Sequence, residues 1–198
     1  IRSSAASDVY KRQAHGGTGT LCGDMFEESQ AEADLSGKKL GPQGAILVAW
    51  DIRAGFVSSS MNKIKVNECE LPIDVLKTGV EVDLSSQVLR VEDAIIIAAC
   101  INVSTSMKKL NVLRNSIDAE GAQALVDAAP QQLQTLCGFE EGQTKADLSR
   151  RGLGPGDAVL LAWELTTGYV SASLTFLSLA VNKIRKDGAV AVAKALEV

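Results

Sequence analysis

The chain has 198 residues, of which 46% are apolar, 22% charged and only 4% aromatic, and its formal net charge is −4. This composition supports a folded domain with a sizeable core and argues against intrinsic disorder. A membrane-spanning protein is disfavoured, because the longest apolar run (94–101) is far below the roughly 18 residues of a membrane span. A nucleic-acid-binding protein is disfavoured, because the basic residues do not outnumber the acidic ones. An enzyme with a catalytic triad or a histidine-rich metal site is disfavoured, because the chain has a single histidine.

The first thirteen residues differ in character from the rest. Ser3–Gln13 reads SSAASDVYKRQ, and its back-translation resembles a transposase-type sequencing adaptor read in frame. We therefore expect residues 1–13 to be a disordered, adaptor-derived scar, and residues 14–198 to form the domain. Three basic residues and one acidic residue leave with the scar, so 17 basic and 23 acidic residues remain and the net charge of the domain is −6. We expect this domain to be truncated at both ends, because its last residues, AVAVAKALEV, continue a helical pattern without a capping glycine.

Internal repeats organise the domain. They share the pattern apolar-x-apolar-x-x-(Asn/Cys)-x-apolar, which departs in three copies from Asn or Cys. The second apolar residue of the six copies is Leu35, Val66, Leu84, Val112, Leu148 and Leu179. The alternation of apolar and polar residues predicts a strand with one buried face in each copy. The asparagine that follows can turn inward and bond backbone groups left unpaired where the chain bends.

Apolar stretches after five of these strands predict helices. They cover residues 41–52, 91–101, 119–129, 154–165 and 186–196, and Pro42 and Pro155 fall where a first helical turn tolerates proline. The short step from Val66 to Leu84 cannot hold a full helix, so we expect a short turn or one helical turn over Pro72–Gly79. The long step from Val112 to Leu148 includes Gly138–Thr144, which we expect to protrude as a loop.

A larger duplication overlies these repeats. Thr20-Leu21-Cys22-Gly23 recurs as Thr135-Leu136-Cys137-Gly138, and six later residues, among them Trp50 and Trp163, match at a common offset of 113. The two tryptophans are therefore copies of one ancestral position.

The six-fold pattern resembles the leucine-rich repeat, and the spacing of its more regular copies, such as Leu148 to Leu179, is similar to that of the longer, ribonuclease-inhibitor-like class. The resemblance covers residues 21–198, and the paired TLCG…ADLS…LGP segments resemble leucine-rich proteins of unicellular marine eukaryotes. It implies an α/β leucine-rich-repeat solenoid of about six irregular repeats, with a curved parallel sheet inside and helices outside. Each repeat of such a solenoid is stabilised by its neighbours.

Three repeats depart from this pattern at the asparagine position, where Lys38, Gln87 and Arg151 stand. Lysine and arginine cannot accept a hydrogen bond from the backbone. We predict that these long side chains leave the core and that the turn differs in their repeats.

Most candidates for chemistry favour an ordinary structural role. The glycine-rich stretch His15–Thr20 lacks the spacings of phosphate-binding loops and is interpreted as a flexible junction, with His15 as a solvated loop residue. The acidic pairs Glu27-Glu28 and Glu140-Glu141 have no neighbouring base and are interpreted as solvated charges.

The cysteines and tryptophans are also assigned to packing. Without CxxC spacing, the cysteines are interpreted as buried free thiols of a reducing compartment; they are Cys22, Cys69, Cys100 and Cys137. Trp50 and Trp163 lie in apolar helical runs, so we expect them to pack in the core, the alternative being that they anchor a partner.

The polar positions between the repeat leucines remain as the candidate binding site, because repeat solenoids bind proteins through their concave strand surface. An equally open interpretation is that these residues only keep the strand face soluble. The candidate residues are Asp34, Ser36, Lys65, Asn67, Glu68, Asp83, Ser85, Asn111, Arg114, Asp147, Arg150 and Ser178.

The sequence therefore favours a non-catalytic scaffold that binds an unidentified protein. We expect no cofactor, no metal, no nucleic acid and no membrane among its ligands, a monomeric state and a cytoplasmic location. Two alternatives stay open. The repeats are the recognition arm of a GTPase-activating or sensor protein, as the resemblance to leucine-rich activators of a Ran-type GTPase suggests, or the targeting arm of a kinase or phosphatase.

Overall fold

The computed structural model describes residues 26, 30–57, 59–167 and 169–197. The expectations for the segment 1–13, for His15–Thr20, for Cys22, for Glu27-Glu28 and for the first TLCG copy lie outside the described residues.

The described residues form seven short strands and six α-helices, which alternate along the chain in the order β1, α1, β2, β3, α2, β4, α3, β5, α4, β6, α5, β7, α6. The strands are β1 (Glu32–Asp34), β2 (Lys63–Val66), β3 (Cys69–Pro72), β4 (Glu81–Asp83), β5 (Lys109–Asn111), β6 (Lys145–Asp147) and β7 (Phe176–Ser178). The helices are α1 (Gly41–Arg53), α2 (Ile73–Thr78), α3 (Val91–Val103), α4 (Ala119–Ala128), α5 (Pro155–Thr166) and α6 (Arg185–Ala195). All five predicted helices are confirmed to within two residues at each end, and each of the six predicted repeats has its strand.

The strands form three small sheets, so the single curved sheet predicted from the sequence is wrong. β1 pairs with β2, β4 with β5 and β6 with β7, each in parallel, and β3 adds to β2 in antiparallel orientation. β3 therefore occupies the edge of β2 that β4 would need. The free edge of β5 is occupied in the same way, because Leu110 N–H donates to the Thr135 carbonyl (3.0 Å) and Val112 N–H to the Leu136 carbonyl (3.1 Å).

The short step between the second and third repeats behaves partly as predicted. Helix α2 has only six residues, as the spacing requires, and it ends at Thr78 just before Gly79. The antiparallel strand β3 that precedes it was not predicted. The long step contains the exposed segment 140–142, as expected of a loop, whereas Phe139 at its start is buried.

The helices form one uninterrupted layer, in contrast to the strands. α1 packs against α3, α3 against α4, α4 against α5, and α5 against α6. The core lies between this layer and the inward side chains of the strands, where Ile64, Leu110, Ile96 and Leu160 are fully buried. Helix-to-helix packing therefore provides the continuity that the interrupted sheet lacks. Among the described residues, no helix is both long and hydrophobic enough to cross a bilayer.

The residues that depart from the asparagine pattern leave the core, as predicted. Lys38, Gln87 and Arg151 are all exposed. Because these side chains are exposed, the backbone groups of their turns need hydrogen-bond partners from elsewhere in the chain.

The asparagine of the fourth repeat satisfies the turn of the third. The Asn115 Nδ2 donates to the carbonyls of Leu84 (2.9 Å) and Val112 (2.8 Å). Its Oδ1 accepts from the backbone N–H groups of Gln87 (2.9 Å) and Leu89 (3.1 Å). One carboxamide therefore joins two successive repeats.

The sixth repeat serves the fifth in the same way. The Asn182 Nδ2 donates to the carbonyls of Leu148 (2.8 Å) and Leu179 (2.9 Å), and its Oδ1 accepts from the N–H groups of Arg151 (3.0 Å) and Leu153 (3.1 Å). The third and the fifth repeat, which lack the asparagine, are thus completed by the repeat that follows each of them.

The first pair of repeats differs, because a cysteine stands where the asparagine would be. The Cys69 Sγ donates forward to the carbonyl of Gln87 (2.8 Å), in the turn of the third repeat. This thiol therefore links the first pair of repeats to the second.

Candidate functional site

The outward side chains of the strands lie in rows across each parallel pair. In the three-residue strands β1, β4 and β6 the first and third residues are exposed and the second is buried. The pairing register brings Asp34 beside Lys65, Asp83 beside Asn111, and Asp147 beside Ser178. Half of the twelve predicted site residues are therefore neighbours in pairs.

The sequence analysis missed a second row on the same face. The register also pairs Glu32 with Lys63, Glu81 with Lys109, and Lys145 with Phe176. The alternation of the strands could have indicated this row, because each of its residues lies two positions before a predicted or a paired residue of the first row. The phenylalanine is 50% exposed and is an apolar group on an otherwise polar surface.

The aspartates of the Asp-Leu-Ser motif hold the turns that end their strands. The Oδ1 atoms of Asp34, Asp83 and Asp147 each accept a hydrogen bond from the backbone N–H two residues later, at 2.9–3.0 Å. Bonds from the hydroxyl and N–H of the following serine hold the pKa of Asp34 and of Asp147 below its ordinary value. The carboxylates of Asp34 and Asp147 are therefore fixed in direction and stay negatively charged.

Several predicted residues lie in turns and not on the strands. Asn67 (φ 52°) and Glu68 form the turn of the β2–β3 hairpin, so their assignment to the strand face is wrong. Arg114 and Arg150 have φ of 60° and 55° and follow β5 and β6. Ser36 lies in the 3-10 turn after β1.

Arg114, one of these turn residues, is linked to two other repeats. The Arg114 Nη2 donates to the Ser85 Oγ (3.2 Å), which joins the turns of the third and fourth repeats. The Arg114 N–H donates to the Asp157 Oδ1 (2.8 Å) and so connects this turn to α5. The guanidinium is exposed while its backbone is fixed.

Asn111 is partly covered by the second TLCG segment. Gly138 has φ of +71°, and a Cβ at this position would lie 2.8 Å from the Asn111 Cγ. Glycine permits both the left-handed conformation and the close approach. Asn111 is therefore half-buried and offers less of its side chain to a ligand than predicted.

A buried carboxylate holds the TLCG segment against β5. The Glu164 Oε2, on α5, accepts from the Thr135 hydroxyl (3.0 Å), the Leu136 N–H (3.0 Å) and the Cys137 N–H (3.3 Å). Burial raises the pKa of Glu164 above its ordinary value. These bonds give this acid a structural role, in which the motif contributes the hydroxyl of Thr135 and two backbone N–H groups.

Charges of opposite sign alternate across the strand face. The Lys63 ammonium lies 3.8 Å from the Glu32 carboxylate and 3.9 Å from that of Glu70 on β3. Lys109 is paired with Glu140, and this hydrogen bond raises the pKa of Lys109. Glu140 is exposed, as expected of a solvated charge, and it also takes part in this ion pair. The face carries a patterned surface and not a patch of one sign.

The described cysteines are buried free thiols, as expected. Burial raises the pKa of Cys100 to about 12 and that of Cys137 well above its ordinary value. Thiols held in the protonated form are poor nucleophiles and poor metal ligands. Across the part of the chain that the structure describes, no cluster of three histidine, cysteine or acidic side chains has the geometry to hold a metal ion.

The two tryptophans have different environments. Trp163 packs partly buried against the core. Trp50 is 36% exposed on the outer surface of α1 and stacks on Phe56, with ring centroids 5.9 Å apart. The core interpretation is therefore wrong for Trp50.

Comparison with known protein families supports the repeat assignment. The family model described as Leucine Rich repeat matches residues 103–126 and 170–193. These two segments are leucine-rich repeats. They contain β5 with Asn115 and β7 with Asn182, the two repeats whose asparagines complete their neighbours. Leucine-rich repeats generally mediate protein–protein interaction. No curated protein and no solved structure matches the chain.

Proposed function

We propose that the chain is a non-catalytic protein-interaction module, a leucine-rich-repeat solenoid of the ribonuclease-inhibitor-like class that binds its partner with the strand face. The two matched repeats and the strand–helix alternation of six repeats support this proposal. The buried, protonated thiols and the structural roles of the buried acids favour binding over catalysis.

The observation that carries the proposal is that the charged side chains of the strand face are held in fixed orientations. Its aspartates are fixed by turns, Lys63 and Lys109 by ion pairs, and Arg114 by contacts to Ser85 and Asp157. Side chains that are ordered before binding lose less conformational entropy when a partner docks. A face that only maintained solubility would not need such fixed directions.

Site-specific photo-crosslinking tests the location of the binding face. A photoreactive residue in place of Ser85, on the strand face, is compared with one in place of Gln123, on the exposed side of α4. We expect one partner band with the Ser85 probe that is absent with the Gln123 probe. A partner captured only from the helix face would contradict the proposal.

Charge reversal then measures the contribution of the face. The double variant R114E/R150E should weaken binding of the captured partner at least tenfold, since both guanidinium groups are exposed there. The matched control K186E/K194E reverses two exposed charges on α6 and should change the affinity less than twofold. Equal effects of the two double variants would overturn the proposal.

A further inference from the structure

The outer surface of the helix layer carries an apolar groove that the strand face does not explain. It has a volume of about 290 Å³ and is lined by the C-terminal halves of α1, α3 and α4. Helix α3 is the middle helix, because it packs against both of the others. Its Ala98 and Ala99 are small and buried, and they form the floor.

The two walls of this groove differ in size. The α1 wall carries Ile46, which is 54% exposed, and Trp50, which is 36% exposed and braced by Phe56. The α4 wall carries only Ala124 and Ala128 at the groove. One wall is therefore raised by bulky apolar side chains and the other is low.

The two walls also differ in charge at the same end of the groove. Arg53 is in the last turn of α1 and Asp127 in the last turn of α4, and both are exposed. The Asp127 Oδ1 accepts one hydrogen bond, from Gln123 Nε2 (2.8 Å). Within the described ranges, neither residue has an ion-pair partner within 4.0 Å.

These differences make the groove complementary to itself. A twofold axis that lies in the plane of this surface and runs along α3 exchanges the α1 and α4 sides. It places Trp50 of each copy over Ala124 and Ala128 of the other, and Arg53 of each copy against Asp127 of the other. In an interface with this symmetry, every contact occurs twice.

We propose that this groove is the interface of a homodimer, with a second copy of this chain as its occupant. This replaces the monomer expected from the sequence, and it leaves the strand face of each copy free. Exposed aromatic and isoleucine side chains at the centre of a small-residue surface are typical of interfaces whose core is apolar and whose rim is charged.

A repeat-equivalent groove on the same molecule lacks this complementarity. It is lined by α4, α5 and α6, and at the equivalent helix positions it has Trp163 where the first groove has Ala99, and Lys194 where the first has Asp127. Its opposite wall offers Gln123 and Val126, with no acidic side chain to meet the lysine. The complementarity that favours a twofold contact is therefore a property of the first groove and not of this one.

Sedimentation velocity of the full chain tests the proposal. Between about 1 and about 200 μM, the range in which micromolar association is visible, we expect the mass to rise from 20.8 kDa toward twice that value. The single variants R53D and D127R should each weaken dimerisation about tenfold, because each creates two like-charge contacts. K186D, which changes an exposed charge outside the groove, serves as the control and should dimerise like the parent chain.

Mixing the two weakened variants gives the sharpest result. In a mixed dimer both contacts again join opposite charges, since the axis brings position 53 of one copy to position 127 of the other. We expect the R53D and D127R chains to dimerise when mixed with about the affinity of the parent chain, about tenfold more tightly than either variant alone. Melting curves establish that both variants fold.

Three results would overturn the proposal. They are a parent chain that keeps the mass of a single copy throughout, single variants that dimerise as well as the parent, and folded variants that fail to associate on mixing. The last result would show that the two residues do not meet across a twofold axis.

Discussion

The carboxamide of Asn115 forms five hydrogen bonds to backbone groups, and these groups belong to two repeats. The corresponding residue of the preceding repeat, Gln87, is exposed and contributes its backbone only. Chemically similar amides at equivalent positions therefore differ in their importance. The reason is that buried backbone groups require partners, whereas exposed ones have water.

This difference predicts unequal effects of two alanine substitutions. Asn115→Ala leaves three carbonyls and two N–H groups without the carboxamide, and we expect it to lower the free energy of unfolding by about 2–4 kcal/mol. Gln87→Ala removes an exposed side chain and should change it by less than about 0.5 kcal/mol. Urea denaturation followed by circular dichroism measures both. Similar losses in the two variants would show that the asparagine does not support the turn.

At the scale of the element, features that depend on residues close in sequence were predicted well, and features that depend on residues far apart were not. The helices were located well because their apolar spacing and the prolines at their starts are local signals. The breaks in the sheet were not predicted, since they depend on which segment reaches the free edges of β2 and β5. The hairpin that moved Asn67 and Glu68 off the strand face is an exception: it is local, since Val66 pairs with Cys69, and it was not predicted because the repeat pattern assigned both residues to the strand.

The exposed strand positions of the proposed site follow from the same alternation that predicted the strands. Asp34, Asp83 and Asp147 were correctly placed on exposed strand positions, but the turn-holding role of their carboxylates is visible only in three dimensions. Exposure of Trp50 also escaped prediction, because an apolar run does not reveal how much of its outer side a neighbouring helix covers.

Close contact between elements makes one glycine of α5 indispensable. A Cβ on Gly156 would lie 2.2 Å from the carbonyl oxygen of Ile117 and 2.7 Å from that of Asp118, in the preceding repeat. Glycine to alanine within a helix normally stabilises by about 1 kcal/mol. Here the backbone cannot yield, so we expect Gly156→Ala to lower the melting temperature and to cost about 2 kcal/mol or more.

The matched control is Gly44→Ala on α1. Its added Cβ would lie 3.0 Å from the Cβ and the Cδ2 of Leu40, so this half-buried residue needs to shift by only a few tenths of an ångström. We expect a neutral or slightly stabilising effect. If Gly156→Ala melted at or above the temperature of Gly44→Ala, the tight contact between α5 and the preceding repeat would be refuted.

At the scale of the whole molecule, stability depends on acids that are buried at the starts of helices. Asp93 and Asp157 occupy the same position in α3 and α5, and each accepts the N–H three residues earlier at 2.8 Å. The second oxygen of Asp157 accepts from Arg114, whereas that of Asp93 has no partner among the described residues. The β2–β3 hairpin provides no equivalent donor.

The unpartnered oxygen predicts a pH dependence of stability. Burial raises the pKa of Asp93 from 3.8 to about 6, so between these values the folded chain holds a proton that the unfolded chain has released. The stability contributed by this group is complete below pH 3.8 and is lost as the pH rises through 6. We expect Asp93→Asn to match the parent chain at pH 4 and to exceed its free energy of unfolding by about 2–3 kcal/mol at pH 8.

Asp157→Asn should have the opposite sign at pH 8. Both of its oxygens accept an N–H, so the amide that replaces one of them faces a donor and costs about 1–3 kcal/mol. Urea denaturation at the two pH values measures both variants. If the free energy of unfolding of the Asp93→Asn chain did not exceed that of the parent chain at pH 8, the raised pKa of Asp93 would be disproved.

The backward reach of the asparagines has a consequence for the newly made chain. The turn at Gln87 receives its side-chain partner from a residue that is 28 positions further along. At translation rates of about 5–20 residues per second, this partner leaves the ribosome about 1–6 seconds later. During that interval the backbone of the third repeat is hydrated and its strand has no successor to pair with. A pair of repeats, and not a single repeat, is therefore the smallest unit that can complete its hydrogen bonds as the chain leaves the ribosome.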